Sequence, residues 1–102
     1  MDARLLFRSK QVAANFIIEI VIWILPVPSA DSSISFKYRL FCGKTDGTCL
    51  VKYDNEKGKG DHRHILGIEY AYDFKDIRSL LQDFKNDVEK ILMKGEGHAD
   101  GL

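Results

Sequence analysis

The sequence predicts an α+β protein of two layers, an antiparallel β-sheet of about five strands covered by one long C-terminal α-helix. Three observations carry this. Runs rich in Ile, Val, Phe, Tyr and Trp fill the first two thirds of the chain, Gly- and Asp-containing turn signals separate them, and a sustained helical periodicity begins near residue 76. At 102 residues the chain is sized for a single domain, expected over residues 1–93.

The first element is a short strand over Ala3–Lys10, with 11–15 as the turn of a hairpin. Phe16–Leu25, FIIEIVIWIL, follows as a long strand; both of its alternating sets are apolar apart from Glu19, which predicts a central position. Because a buried carboxylate would need a partner, Glu19 either points to a sheet end or belongs to the site, and a solvated strand end is the preferred reading. The loop PVPSADSS over Pro26–Ser33 leads to a strand over Ile34–Cys42, where Phe36, Tyr38 and Leu40 alternate with Lys37 and Arg39. Asp46-Gly47 is a turn signal, and Thr48–Asp54 returns as the next strand. Gly58 and Gly60 make Glu56–Asp61 a loop; His62–Leu66 and Glu69–Phe74 resume the sheet around a bend at Gly67. The helix spans about 76–93, with Ile77, Leu80, Leu81, Phe84, Val88, Ile91 and Leu92 on one stripe and Asp73 or Asp76 as its cap. The tail 94–102 has no apolar pattern and is expected to be disordered, with His98 a bystander.

Composition narrows the function. With 45% hydrophobic and 29% charged residues the chain reads as an ordinary globular protein, and a net charge of zero argues against a strong non-specific polyanion binder. The charge is nevertheless uneven. Residues 36–64 hold seven Lys or Arg against four acids (+3), and residues 65–102 hold five against eight (−3), so the middle of the chain suits an anion. The run Phe16–Val27 is broken by Glu19 and ended at Pro26, too short for the roughly 20 apolar residues of a membrane helix. A signal peptide is equally poorly matched, so the expected location is the cytoplasm, with no membrane partner. Cys42 and Cys49 lack a CxxC pattern and are expected as reduced thiols in or near the core.

The segment Lys52–His64, KYDNEKGKGDHRH, concentrates the candidate chemistry. On an extended segment His62 and His64 share one face and Arg63 takes the other. Such an arrangement could bind an anion, move protons or hold a metal. The candidate site residues are His62, His64, Arg63 and Lys59 for chemistry and Tyr53, Asp54, Asn55 and Lys57 for binding. Two other readings stand beside this. The loop and its histidines serve structure or recognition only, or Asp54, His62 and His64 hold a divalent metal, a reading weakened by the adjacent Lys59 and Arg63. No cofactor or metal is expected on balance.

EIVIWILPVP, KYRLF, YDNEKGKGDHRH, EYAYDF and LLQDFKNDVEKIL together resemble the TumE family, toxins of prokaryotic toxin–antitoxin pairs, over roughly residues 15–92. The resemblance implies a type II system, RNA as substrate and a helix-turn-helix antitoxin as partner; metal-free cleavage of RNA needs a base for the 2′-OH, an acid for the 5′-oxygen and cations for the phosphorane, and for that reaction His62 and His64 would divide the proton roles, Lys59 or Arg63 would meet the phosphate, Tyr53 would stack on a base and Asp54 would orient a histidine. It implies no particular catalytic residues. The expected function is a metal-independent endoribonuclease toxin; the alternative is a non-catalytic protein- or nucleic-acid-binding module. A homodimer is left open.

Overall fold

A computed structural model of the chain describes residues 3–25, 35–56 and 60–100, with the side chains of Glu56 and of residues 94–100 not among them. Six strands, β1 (Arg4–Ala13), β2 (Phe16–Leu25), β3 (Ser35–Lys44), β4 (Cys49–Glu56), β5 (Gly60–Ile65) and β6 (Ile68–Ala71), precede α1 (Ile77–Asp100). The sheet is antiparallel throughout and keeps sequence order, β1-β2-β3-β4-β5-β6. The expected sheet of about five strands is corrected to six. The expected loop over Pro26–Ser33, residues Lys57 and Lys59, and residues 101–102 of the expected disordered tail lie outside the described residues, and over 94–100 of that tail the backbone continues α1.

The period of two along each strand explains the layering. Ile18, Ile20, Ile22 and Ile24 of β2 stand opposite Cys42, Leu40, Tyr38 and Phe36 of β3, and Leu40 and Cys42 stand opposite Tyr53 and Val51 of β4. This apolar set faces α1. Leu80, Phe84 and Val88 descend from the helix onto it, and Ile22, Tyr38, Leu40, Val51 and Tyr53 are at most 1% exposed. The large aromatics interlock at an angle: Phe84 and Tyr72 both meet Tyr53 edge-on, and Phe74 stacks on Tyr38 at 5.5 Å. The helix crosses β4, so the outer strands have little cover.

Turns follow local chemistry. Asp76 caps α1, its Oδ1 accepting from the Ser79 N–H at 2.7 Å, and Asp46 Oδ1 accepts from the Thr48 N–H at 2.9 Å before Gly47 turns the chain at φ 102°. Gly43 sits at a register shift where a Cβ would fall 2.4 Å from the Thr48 carbonyl oxygen, so no larger residue fits without movement. The bend expected at Gly67 is a full two-residue hairpin, Leu66-Gly67, joining β5 to β6 with φ 50° and 88°. Cys42 is buried in the core, whereas Cys49 is exposed. Among the described residues no helix is long and apolar enough to cross a membrane.

Candidate functional site

The other face of the sheet has no layer over it among the described residues, and its polar centre is built by register. Asp54 of β4 stands opposite His62 of β5 and opposite Arg39 of β3; Lys52 stands opposite His64, and His64 opposite Glu69 of β6. Alternation therefore sends Arg39, Lys52, Asp54, His62, His64 and Glu69 to one surface.

Their distances make a connected group. His62 Nε2 lies 3.0 Å from Asp54 Oδ1, Lys52 Nζ lies 3.4 Å from Asp54 Oδ2, and His64 Nε2 lies 3.7 Å from Glu69 Oε1. The imidazole rings meet edge-on with centroids 5.6 Å apart. Exposure separates the two histidines. The His62 side chain is 7% exposed beside Asp54 at 18%, whereas His64 is 31% exposed and open to a ligand. The Asp54–His62 contact lacks hydrogen-bond alignment, leaving the buried Asp54 Oδ1 without a hydrogen-bond partner.

Asp54, His62 and His64 each offer one ligand atom, all within 4.8 Å of one another, a spacing that a divalent ion could bridge. The electrostatics work against a cation. Lys52 already shares the Asp54 carboxylate, and Arg39 stands opposite Asp54 on the same surface.

Tyr53, Asn55 and Arg63 of the Lys52–His64 segment lie elsewhere. Tyr53 and Arg63 are paired in register and point under α1, away from the histidines. Tyr53 is 0% exposed; its hydroxyl donates to Asp87 Oδ2 of the helix, and Arg63 Nη1 reaches both Tyr53 Oη at 2.9 Å and Asp87 Oδ2 at 3.0 Å. Burial, and next the bond to Asp87, push the Tyr53 phenol well above its ordinary pKa. Asn55 ties strands together, accepting from the Tyr38 N–H at 3.0 Å and donating to the Phe36 carbonyl at 2.8 Å. Lys57 and Lys59 lie outside the described residues. Sequence reasoning passed over Arg39 and Lys52 as site residues; their alternation with Tyr38, Leu40, Val51 and Tyr53 was the available signal. Glu19 is not a strand-end residue: it sits mid-strand in β2 on this same face, between Arg8 at 4.0 Å and Arg39 at 3.8 Å.

Fold and site together define a small single-sheet α+β protein with a histidine pair on its uncovered face. A family model described as Toxin TumE matches residues 2–92. The chain belongs to the TumE family of toxins, and an antitoxin is its partner by that membership. No curated protein and no solved structure matches it.

Proposed function

We propose that this toxin is a metal-independent endoribonuclease of a type II toxin–antitoxin pair, acting through His62 and His64 on the uncovered face of the sheet. The observation that supports it is the grouping of two imidazoles, one carboxylate and one ammonium by β4–β5 register, with ring centroids 5.6 Å apart. Two histidines at this separation can divide the proton removed from a 2′-hydroxyl and the proton delivered to the departing 5′-oxygen, and hydrolysis of the resulting 2′,3′-cyclic phosphate, with the roles reversed, resets both rings. Asp54 sets a carboxylate 3.0 Å from His62 Nε2. His64, the more exposed ring, meets the substrate, while Lys52 and Arg39 balance charge on the phosphate. Lys59 stays a candidate cation on the phosphate from the sequence alone.

Tyr53, Arg63 and Asn55 take no part in this reading, because they hold the sheet and helix together. The alternative, a binding module whose histidines serve structure, draws on the near burial of His62. Growth assays in cells lacking the antitoxin, with circular dichroism of the same variants, separate the two. The expected result for His64→Ala and for His62→Ala is loss of growth inhibition with a native spectrum, and full toxicity of the double variant would remove the histidines from the mechanism.

A further inference from the structure

The bare edge and underside of β1 are unused by the site above. β1 is an outer strand, paired only with β2, and its ten residues RLLFRSKQVA run with one edge open among the described residues. Leu5, Leu6, Phe7 and Val12 are 45–62% exposed, half of the exposed large hydrophobic residues described. Beside them, where α1 leaves the outer strands, an apolar groove of about 480 Å³ opens between Phe7, Ile18 and Ile20 on the sheet and Leu81, Val88 and Leu92 on the helix. An edge with this much apolar surface invites another strand.

The charges say which strand. β1 carries Arg4, Arg8 and Lys10 and no acid. Two copies pairing through this edge would set like charges against each other across the new ladder, whereas an acidic segment would be attracted. Arg8 and Lys10 stand opposite Val21 and Glu19 and so face the uncovered side of the sheet; Phe7 and Ser9 stand opposite Ile22 and Ile20 and face the groove side. Among the described residues Glu19 is the carboxylate beside these cations, and it is shared with Arg39, so Arg8 and Lys10 keep charge to offer.

We propose that the antitoxin docks here by adding an extended segment to β1 as a seventh strand, with apolar and acidic side chains in alternation: the apolar set leans past Ser9 into the groove, and the acidic set lies over Arg8 and Lys10. This rests on the family's antitoxin partner and is independent of the proposed ribonuclease activity.

The test uses the full toxin and its cognate antitoxin, with affinity measured by calorimetry and amide exchange measured on the complex. Phe7→Ser, and separately Arg8→Glu combined with Lys10→Glu, are each expected to weaken antitoxin binding at least tenfold while the melting temperature stays within a few degrees. Phe7→Ser is also expected to keep growth inhibition in the absence of antitoxin and to escape neutralisation in its presence. Backbone amides of β1 gain protection in the wild-type complex. Unchanged affinity in both variants, or β1 amides that exchange equally in free and bound toxin, overturns the proposal. So does a free toxin that sediments as a dimer which Phe7→Ser dissociates without effect on the antitoxin.

Discussion

Arg63 offers the sharpest separation between a chemical and an architectural role, because sequence reasoning placed it on a phosphate and the structure places it under the helix. Its guanidinium contacts Asp87 at 3.0 Å and the Tyr53 hydroxyl at 2.9 Å, with the Asp87 side chain 12% and its own 33% exposed. Arg63→Ala removes the cation and leaves a buried carboxylate and phenol to share one proton. Breaking a fully buried pair costs about 3–5 kcal/mol; partial exposure of Arg63 lowers that to about 2–4 kcal/mol here. In a domain of this size that corresponds to a fall of roughly 10–25 °C in melting temperature. Replacing all the partners together, Tyr53→Phe with Arg63→Met and Asp87→Leu, strands no polar group and should recover most of the loss, since apolar substitution of a whole buried network is often neutral. Thermal melts and growth assays on the single and triple variants read both quantities. The account predicts that stability and toxicity fall together in Arg63→Ala and return together in the triple variant. A single variant that melts like the wild type yet has lost toxicity would refute it and return Arg63 to the chemistry.

Three further outcomes follow from the packing. Phe84, 3% exposed and edge-on to Tyr53 at 5.7 Å, should cost about 3–5 kcal/mol on truncation to Ala, measured by urea unfolding; a midpoint unchanged from wild type would mean that the helix does not seal the sheet. Alkali should unfold the protein. Burial, and then hydrogen bonds to Asp61, Asp87 and Asp83, raise the phenols of Tyr38, Tyr53 and Tyr72 above their ordinary pKa near 10. Folded stability is thus full below about pH 10 and falls by about 1.4 kcal/mol per pH unit above it for each phenol still protonated, a slope that pH-dependent denaturation measures directly. Leu66, 59% exposed and held at φ 50°, should gain stability on replacement by Asn, by about 0.5–1 kcal/mol, because Asn tolerates the left-handed conformation better than a γ-branched residue does; an unchanged or lowered melting temperature would show that Leu66 contributes more through contacts than it loses through strain.

Some of this was legible in the amino-acid sequence for identifiable reasons. The stripe Ile77 to Leu92 is long and strictly periodic, so the helix and its buried face could be read directly, as could β2, whose observed bounds match the expected Phe16–Leu25. The sixth strand was obscured because Leu66-Gly67 does not resemble a hairpin turn: a leucine occupies a left-handed position that normally signals itself with Asn, Asp or Gly. The opposed faces of His62 and Arg63 followed from strand alternation alone. Which face the helix would cover did not. That depends on Val51, Tyr53, Leu40 and Tyr38 joining one apolar surface across three strands, and on Asp87 crossing from the polar side of the helix stripe to meet Tyr53 34 residues away. Arg39 and Lys52 were likewise hidden in register, since neither lies near both histidines in sequence, and β3–β4 and β4–β5 pairing brings them alongside Asp54 and His64.

The proposed activity has one direct measurement: cleavage of RNA by purified toxin in excess EDTA, across pH, for the wild type and for His64→Ala. The account predicts that the wild type cuts without divalent ions along a bell-shaped pH profile, as one neutral and one protonated imidazole require, and that His64→Ala is inactive with an unchanged melt. Activity that vanishes in EDTA and returns with a divalent ion would contradict it and assign Asp54, His62 and His64 to a metal instead.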